Sequence, residues 1–178
     1  MSDQRDTVTD LITQNVLWES YVRAGEKAWM RKEHTEALRN FTVAREKSKH
    51  FRSGDWRHIK SLQSLSRIYY ELKNFSEAER LQAELLKLIE AHSGADSVEM
   101  ISELRHMASI YEQEKKFQEA EQTYRFIIDN HPTRTSGLGD PTLSFLRQKC
   151  NEMKQLQKQK QQQGNASGSS GGDIEWIG

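Results

Sequence analysis

Cysteine is nearly absent from this chain. A single residue, Cys150, among 178 excludes an internal disulfide, and no Cys/His cluster at metal-ligand spacing takes its place, so neither metal nor cofactor is expected. A reducing compartment is the simplest reading, and we expect a cytoplasmic protein. A net field is lacking too. The 26 basic and 26 acidic side chains cancel, without the basic excess or stripe that marks a nucleic-acid binder. Long apolar runs are missing: the first twenty residues carry Asp3, Arg5, Asp6 and Asp10, unlike a signal peptide, and nothing approaches the roughly 20 apolar residues of a membrane span, so no membrane insertion is expected. Proline occurs only twice. What fills the chain instead is 29% charged and 35% hydrophobic residues, a mixture suited to amphipathic helices with wide solvated faces.

Those helices come in copies. Phe75-Ser76-Glu77-Ala78-Glu79 returns as Phe117-Gln118-Glu119-Ala120-Glu121, and a weaker version is His34-Thr35-Glu36-Ala37-Leu38. The alanines stand 41 and 42 residues apart, the mark of a repeat array. Apolar residues at helical spacing predict one long helix from about Val8 to Trp29, and a second through Ala37, Phe41 and Ala44 to about Lys49. Gly54 frees the backbone for a left-handed turn and Asp55 is a helix N-cap. The plan repeats with Leu62, Leu65 and Ile68, then Leu81, Leu85 and Ile89, with Lys73-Asn74 as the inner turn. A third pair runs through Met107 and Tyr111, then Tyr124 and Ile127, and ends at His131-Pro132. Leu143, Leu146, Cys150 and Met153 predict a seventh helix, turning polar near Gln157, that covers the last open apolar side.

Aligned on their alanines, the units resemble the tetratricopeptide repeat. Trp18, Tyr21, Gly25, Ala37 and Phe41 fill its slots in the first unit; Leu62, Ser66, Tyr69, Phe75 and Ala78 in the second; Leu104, Ala108, Tyr111, Phe117, Ala120 and Pro132 in the third. The usual period is 34 residues, and the longer interval here is similar to the kinesin light chain branch of that family. The resemblance implies an all-α, right-handed α-solenoid of three antiparallel helix pairs (residues 18–51, 59–92 and 101–134) with a C-terminal capping helix over 142–162. It also implies a non-enzymatic protein–protein interaction adaptor, whose first helices line a concave groove for a peptide. Carried over slot by slot, that groove comprises Glu19, Val22, Arg23, Glu26, Trp29 and Met30, then Lys60, Gln63, Ser64, Arg67 and Tyr70, then Arg105, His106, Ser109 and Glu112. One arginine per repeat, Arg23, Arg67 and Arg105, is expected to face one channel and meet carboxylates. The chaperone-tail clamp of related repeats cannot be built here, because its slots hold Val22, Glu26, Ser64, Ser102 and His106.

The C-terminus supplies a candidate partner. Residues 164–172 form a Gly/Ser-rich linker, for which a native tether and an engineered spacer both stay open. Beyond it, Asp173, Ile174, Glu175, Trp176 and Ile177 set a tryptophan between acidic and aliphatic neighbours. Peptides with tryptophan among acidic residues are what the kinesin light chain resemblance implies as ligands. Nine linker residues reach about 15 to 18 Å, so the tail is expected to enter its own groove or a neighbour's. A structural module that assembles through its end faces or convex surface is the alternative. Catalysis has little support: Cys150 and His131 lack a third partner, and Glu77/Glu79 and Glu119/Glu121 point to different faces of their helices.

Overall fold

The computed structural model describes residues 2–52, 54–95, 97–130 and 141–168, with side chains from residue 8 to residue 163. Among the described residues there are seven helices and no strand: α1 (Ser2–Met30), α2 (His34–Ser48), α3 (Trp56–Glu71), α4 (Phe75–Ser93), α5 (Val98–Gln113), α6 (Phe117–Asp129) and α7 (Pro141–Gly168). The chain forms two compact units, Met1–Ile110 and Tyr111–Gly178.

Within the first unit α1 packs on α2, α2 on α3, and α3 on α4. The helix periodicity dictates what meets in the middle: Trp18, Phe41, Leu62, Ile68, Leu81, Leu85 and Ile89 are almost fully buried. Close approach is bought by small residues. Ala37 and Ala78 have no exposed surface, and a methyl group added at Gly25 would come within 2.8 Å of Phe41 Cε1. Trp18 Nε1 donates to Ser61 Oγ at 2.9 Å, so the one polar atom of this buried indole is satisfied between repeats.

The inner turns are copies of each other. Lys32, Lys73 and Lys115 have φ of 61°, 59° and 57°, left-handed values uncommon outside glycine. In each turn the lysine N–H donates to a carbonyl three residues back, and the next N–H to one five back: Lys32 to Trp29 and Glu33 to Ala28, Lys73 to Tyr70 and Asn74 to Tyr69, Lys115 to Glu112 and Lys116 to Tyr111. The first inner turn centres on Lys32. The outer turn is as anticipated: Gly54 has φ 79°, and the Asp55 carboxylate accepts from Arg57 N at 2.9 Å. Gly94, at φ 89°, ends α4.

In the second unit α6 packs on α7, and Ala120, Tyr124, Ile127, Leu143, Leu146, Cys150 and Met153 are buried. Lys149 Nζ pairs with Glu112 Oε2 at 3.0 Å. Helix α7 continues to Gly168, so residues 164–168 of the expected flexible linker are helical. Once a helix is nucleated, each added residue gains a backbone hydrogen bond at modest cost, and the preceding glutamine run favours this. The remainder of the linker, the peptide 173–178 and the His131-Pro132 stop lie outside the described residues.

Two substitutions test this packing. Gly25→Ala drives a methyl into the Phe41 ring and should cost about 1–3 kcal/mol in urea denaturation. Lys73→Gly relieves a left-handed side chain, whereas Lys73→Val adds a β-branched one, so urea midpoints should rank Gly above Val by about 1–2 kcal/mol.

Candidate peptide-binding groove

The carboxyl-terminal half of α1 and the middle of α3 lie side by side, and between them opens a cavity of about 390 Å³. Its walls are Glu26, Trp29 and Met30 from α1, Phe41 from α2, and Lys60, Ser64 and Arg67 from α3. Residues 26, 29 and 30 share one side of α1, and 60, 64 and 67 share one side of α3, as helical spacing requires. Trp29 packs its body against the core and meets the His34 ring edge-on at 6.2 Å. Met30 is 74% exposed. Two cations face this space, each with an acidic partner: Lys60 Nζ lies 3.3 Å from Glu26 Oε1, and Arg67 Nη2 lies 3.4 Å from Glu103 Oε1.

Glu103 is the buried partner of Arg67. It is 2% exposed, and it accepts from Gln63 Nε2 at 3.2 Å and from Gln82 Nε2 at 2.9 Å. Gln82 also donates to the Glu103 carbonyl at 2.9 Å and accepts from Ser66 Oγ at 2.8 Å. The network ties α3, α4 and α5 together. Neither Glu103 nor Gln82 was expected at this site. Their signal was a polar residue inside an apolar stripe, Glu103 among Ile101, Leu104 and Met107, and Gln82 between Leu81 and Leu85.

The remaining expected groove residues are placed otherwise. Val22 is a core residue, 6% exposed, because its helical position points between Trp18 and Trp29 toward α2; it is corrected from groove to core. Arg23 is exposed, pairs with Glu19 at 3.1 Å, and lines a separate cavity with Val16, Ser20, Ala24 and Lys27. Arg105 is exposed and lines neither cavity. Arg67 is therefore the one arginine of the expected three that the cavity contains. Gln63 is committed to Glu103. Ser109 Oγ donates to the Arg105 carbonyl at 3.1 Å. Tyr70 meets Phe75 edge-on at 5.5 Å and His106 at 5.3 Å. Glu112 belongs to the second unit, bound to Tyr124 and Lys149.

Two half-buried histidines sit in surroundings that disfavour the imidazolium. Burial, the largest influence, holds the His106 imidazole below its ordinary value; Glu103 opposes this and Arg67 reinforces it. His58 is lowered by burial too, against the attraction of Glu84. Ser48, His58 and Glu84 superficially suggest a nucleophilic triad, but Ser48 is 1% exposed and its hydroxyl proton goes to the Arg45 carbonyl at 2.7 Å. Ser48 Oγ therefore accepts from His58 Nδ1, 2.9 Å away, and is no nucleophile. Cys150 lies 3.6 Å from Glu121 Oε1, and burial and that carboxylate push its thiol up, away from the reactive thiolate. Among the described residues no group of three or more His, Cys, Asp or Glu could hold a metal, and no helix is long and apolar enough to cross a membrane.

The tetratricopeptide repeat family matches residues 59–99, a stretch that contains Lys60, Ser64 and Arg67. Among solved structures, BtubC (BKLC) of P. vanneervenii superposes with a TM-score of 0.71 at 14% identity, over 93% of this chain and 69% of that one. A Podosopora anserina structure of kinesin light chain nearly identical TPR-like repeats gives 0.65 at 15% identity, over 81% and 68%. Residues 59–99 thus carry a tetratricopeptide repeat, and the fold is that of the kinesin light chain-like repeat structures. No curated protein matches the sequence of this chain. The all-α solenoid that the resemblance implies is the fold found. That fold supports protein–protein interaction in general.

The histidines give the first unit a defined acid response. Both imidazoles have folded values below the reference of 6.5. Above about pH 7.5 they are neutral folded and unfolded alike; as pH falls through 6.5 the unfolded chain takes up protons that the fold resists, so stability drops. Thermal denaturation should show Tm falling between about pH 7.5 and 5.5, and His58→Asn should flatten the fall.

Proposed function

We propose that the protein is a non-enzymatic adaptor whose α1–α3 cavity receives a short acidic peptide with a tryptophan anchor. The observation that carries this reading is the cavity's composition: an aromatic wall from Trp29 and Phe41, an adaptable thioether from Met30, and the cations of Lys60 and Arg67 at the edges. An indole would bury against the first group, and flanking carboxylates would compete with Glu26 and Glu103 for the cations. Affinity then comes mainly from the anchor, and the cations set register and on-rate. The chain's own residues 173–178, with Trp176 between Glu175 and Ile177, have this chemistry, and we assign them as a ligand acting in cis or in a neighbouring molecule. A tethered ligand needs little intrinsic affinity, because its local concentration is high. The lone, buried Cys150 supports a reducing, cytoplasmic setting.

One observation favours the second reading, assembly through an end face. Val8, Ile12 and Val16 on α1 are 56–60% exposed and form an apolar stripe at helical spacing. Sedimentation separates the two: assembly through this stripe should grow with concentration and persist without residues 164–178, whereas tail exchange should vanish with them.

Calorimetry with a peptide of sequence 173–178 tests the groove. Arg67→Ala should weaken binding about tenfold, and a Trp176→Ala peptide should lose about 2 kcal/mol or more. Unchanged affinity in both, or preference for a basic peptide, would contradict the assignment.

A further inference from the structure

Arg67 faces two ways. Its half-exposed side chain lines the cavity, while its Nη2 is the cation closest to the buried Glu103 carboxylate, at 3.4 Å. The amide donors to that carboxylate, Gln63 and Gln82, are neutral. His106 lies one turn further along α5, with the Tyr70 ring tilted against it at 5.3 Å. Its Nε2 is buried without a hydrogen-bond partner among the described residues, so nothing there holds it in one protonation state. The charged groups acting on it are Glu103 from its own helix, which favours the imidazolium, and Arg67 from α3, which opposes it; Tyr70, also from α3, adds an uncharged ring.

We propose that peptide binding in this cavity is coupled to proton uptake by His106, through Arg67 as the shared element. The proposal rests on the acidic-peptide reading above and adds its regulation. A ligand carboxylate on Arg67 offsets the guanidinium charge that repels a proton from His106. It also competes with Glu103 for the same donors, leaving the buried carboxylate in need of a counter-charge that His106 can provide. Both effects raise the affinity of His106 for a proton drawn from solvent. The burial that keeps the free imidazole low leaves room for that rise. By reciprocity the proton strengthens ligand binding, so the acidic peptide is held more tightly as pH falls from about 7.5 toward 6.

Two measurements on the full-length chain carrying Trp176→Ala, so that its own tail does not occupy the cavity, test this, and they fail independently. Without ligand, the His106 Cε1–H resonance is titrated by NMR in that background and with Arg67→Gln added. Its midpoint should rise by roughly one unit with Arg67→Gln while His58 stays put; a midpoint that stays or falls overturns the coupling and leaves the peptide reading intact. With the 173–178 peptide as probe, calorimetry in buffers of different ionisation enthalpy at about pH 6.5 should show a fraction of a proton taken up per peptide bound. Affinity at about pH 6 should exceed that at pH 7.5 by roughly threefold or more with His106 intact, and the ratio should approach one in His106→Asn. A pH ratio that persists in His106→Asn, or binding without proton uptake, overturns the proposal. Absence of binding at every pH overturns the peptide reading and the coupling with it.

Discussion

The structure depends on a constraint at the inner turns: two helices must reverse direction in three residues while their axes come close enough to exclude side-chain bulk. The chain meets it the same way each time. A lysine sits in the left-handed region at 32, 73 and 115, and five residues later an alanine at 37, 78 and 120 is wholly buried. A left-handed L-residue costs roughly 1–2 kcal/mol, which the two backbone hydrogen bonds of each turn and the packing beyond it offset. The turn also sets the phase of the helix before it. Glu26 and Arg67 stand at the same distance ahead of their lysines, which places both on the cavity side of α1 and α3.

With the phase set, polar groups wholly or partly buried between repeats determine register. Trp18 bonds Ser61, Arg45 binds both oxygens of Glu84 at 2.8 Å, and Gln82 spans the backbone and side chain of Glu103. Each joins helices of different repeats. Such buried pairs add little net stability, since desolvation consumes most of the attraction, but a one-residue slip would leave every member unsatisfied. Arg67 follows the same pattern: it serves the buried network with one edge of its guanidinium and lines the cavity with the rest.

Most of the fold was legible because the repeat supplies three readings of one pattern. The helices, the Gly54-Asp55 turn and the buried alanines follow from spacing and turn chemistry alone. The site was legible in part. Trp29, Met30, Lys60, Ser64 and Arg67 could be placed by slot, since neighbouring first helices present equivalent positions. Val22 was misplaced because a valine at a groove slot turns inward where the adjacent helix leaves room for it, and periodicity cannot resolve so small a rotation. Arg23 separated from Arg67 because Glu19, one turn back on the same exposed face, holds it by an i,i+4 pair. Glu103 and Gln82 escaped because a polar residue in an apolar stripe signals burial with a partner but does not say which partner.

The central claim is that the α1–α3 cavity holds a tryptophan anchored among acidic residues. A crystal structure of the protein with the 173–178 peptide in excess tests it most directly. The account predicts an indole seated against Trp29, Met30 and Phe41, with a peptide carboxylate on Arg67 or Lys60. A peptide bound elsewhere on the chain, or a cavity left empty at saturating peptide, would contradict it.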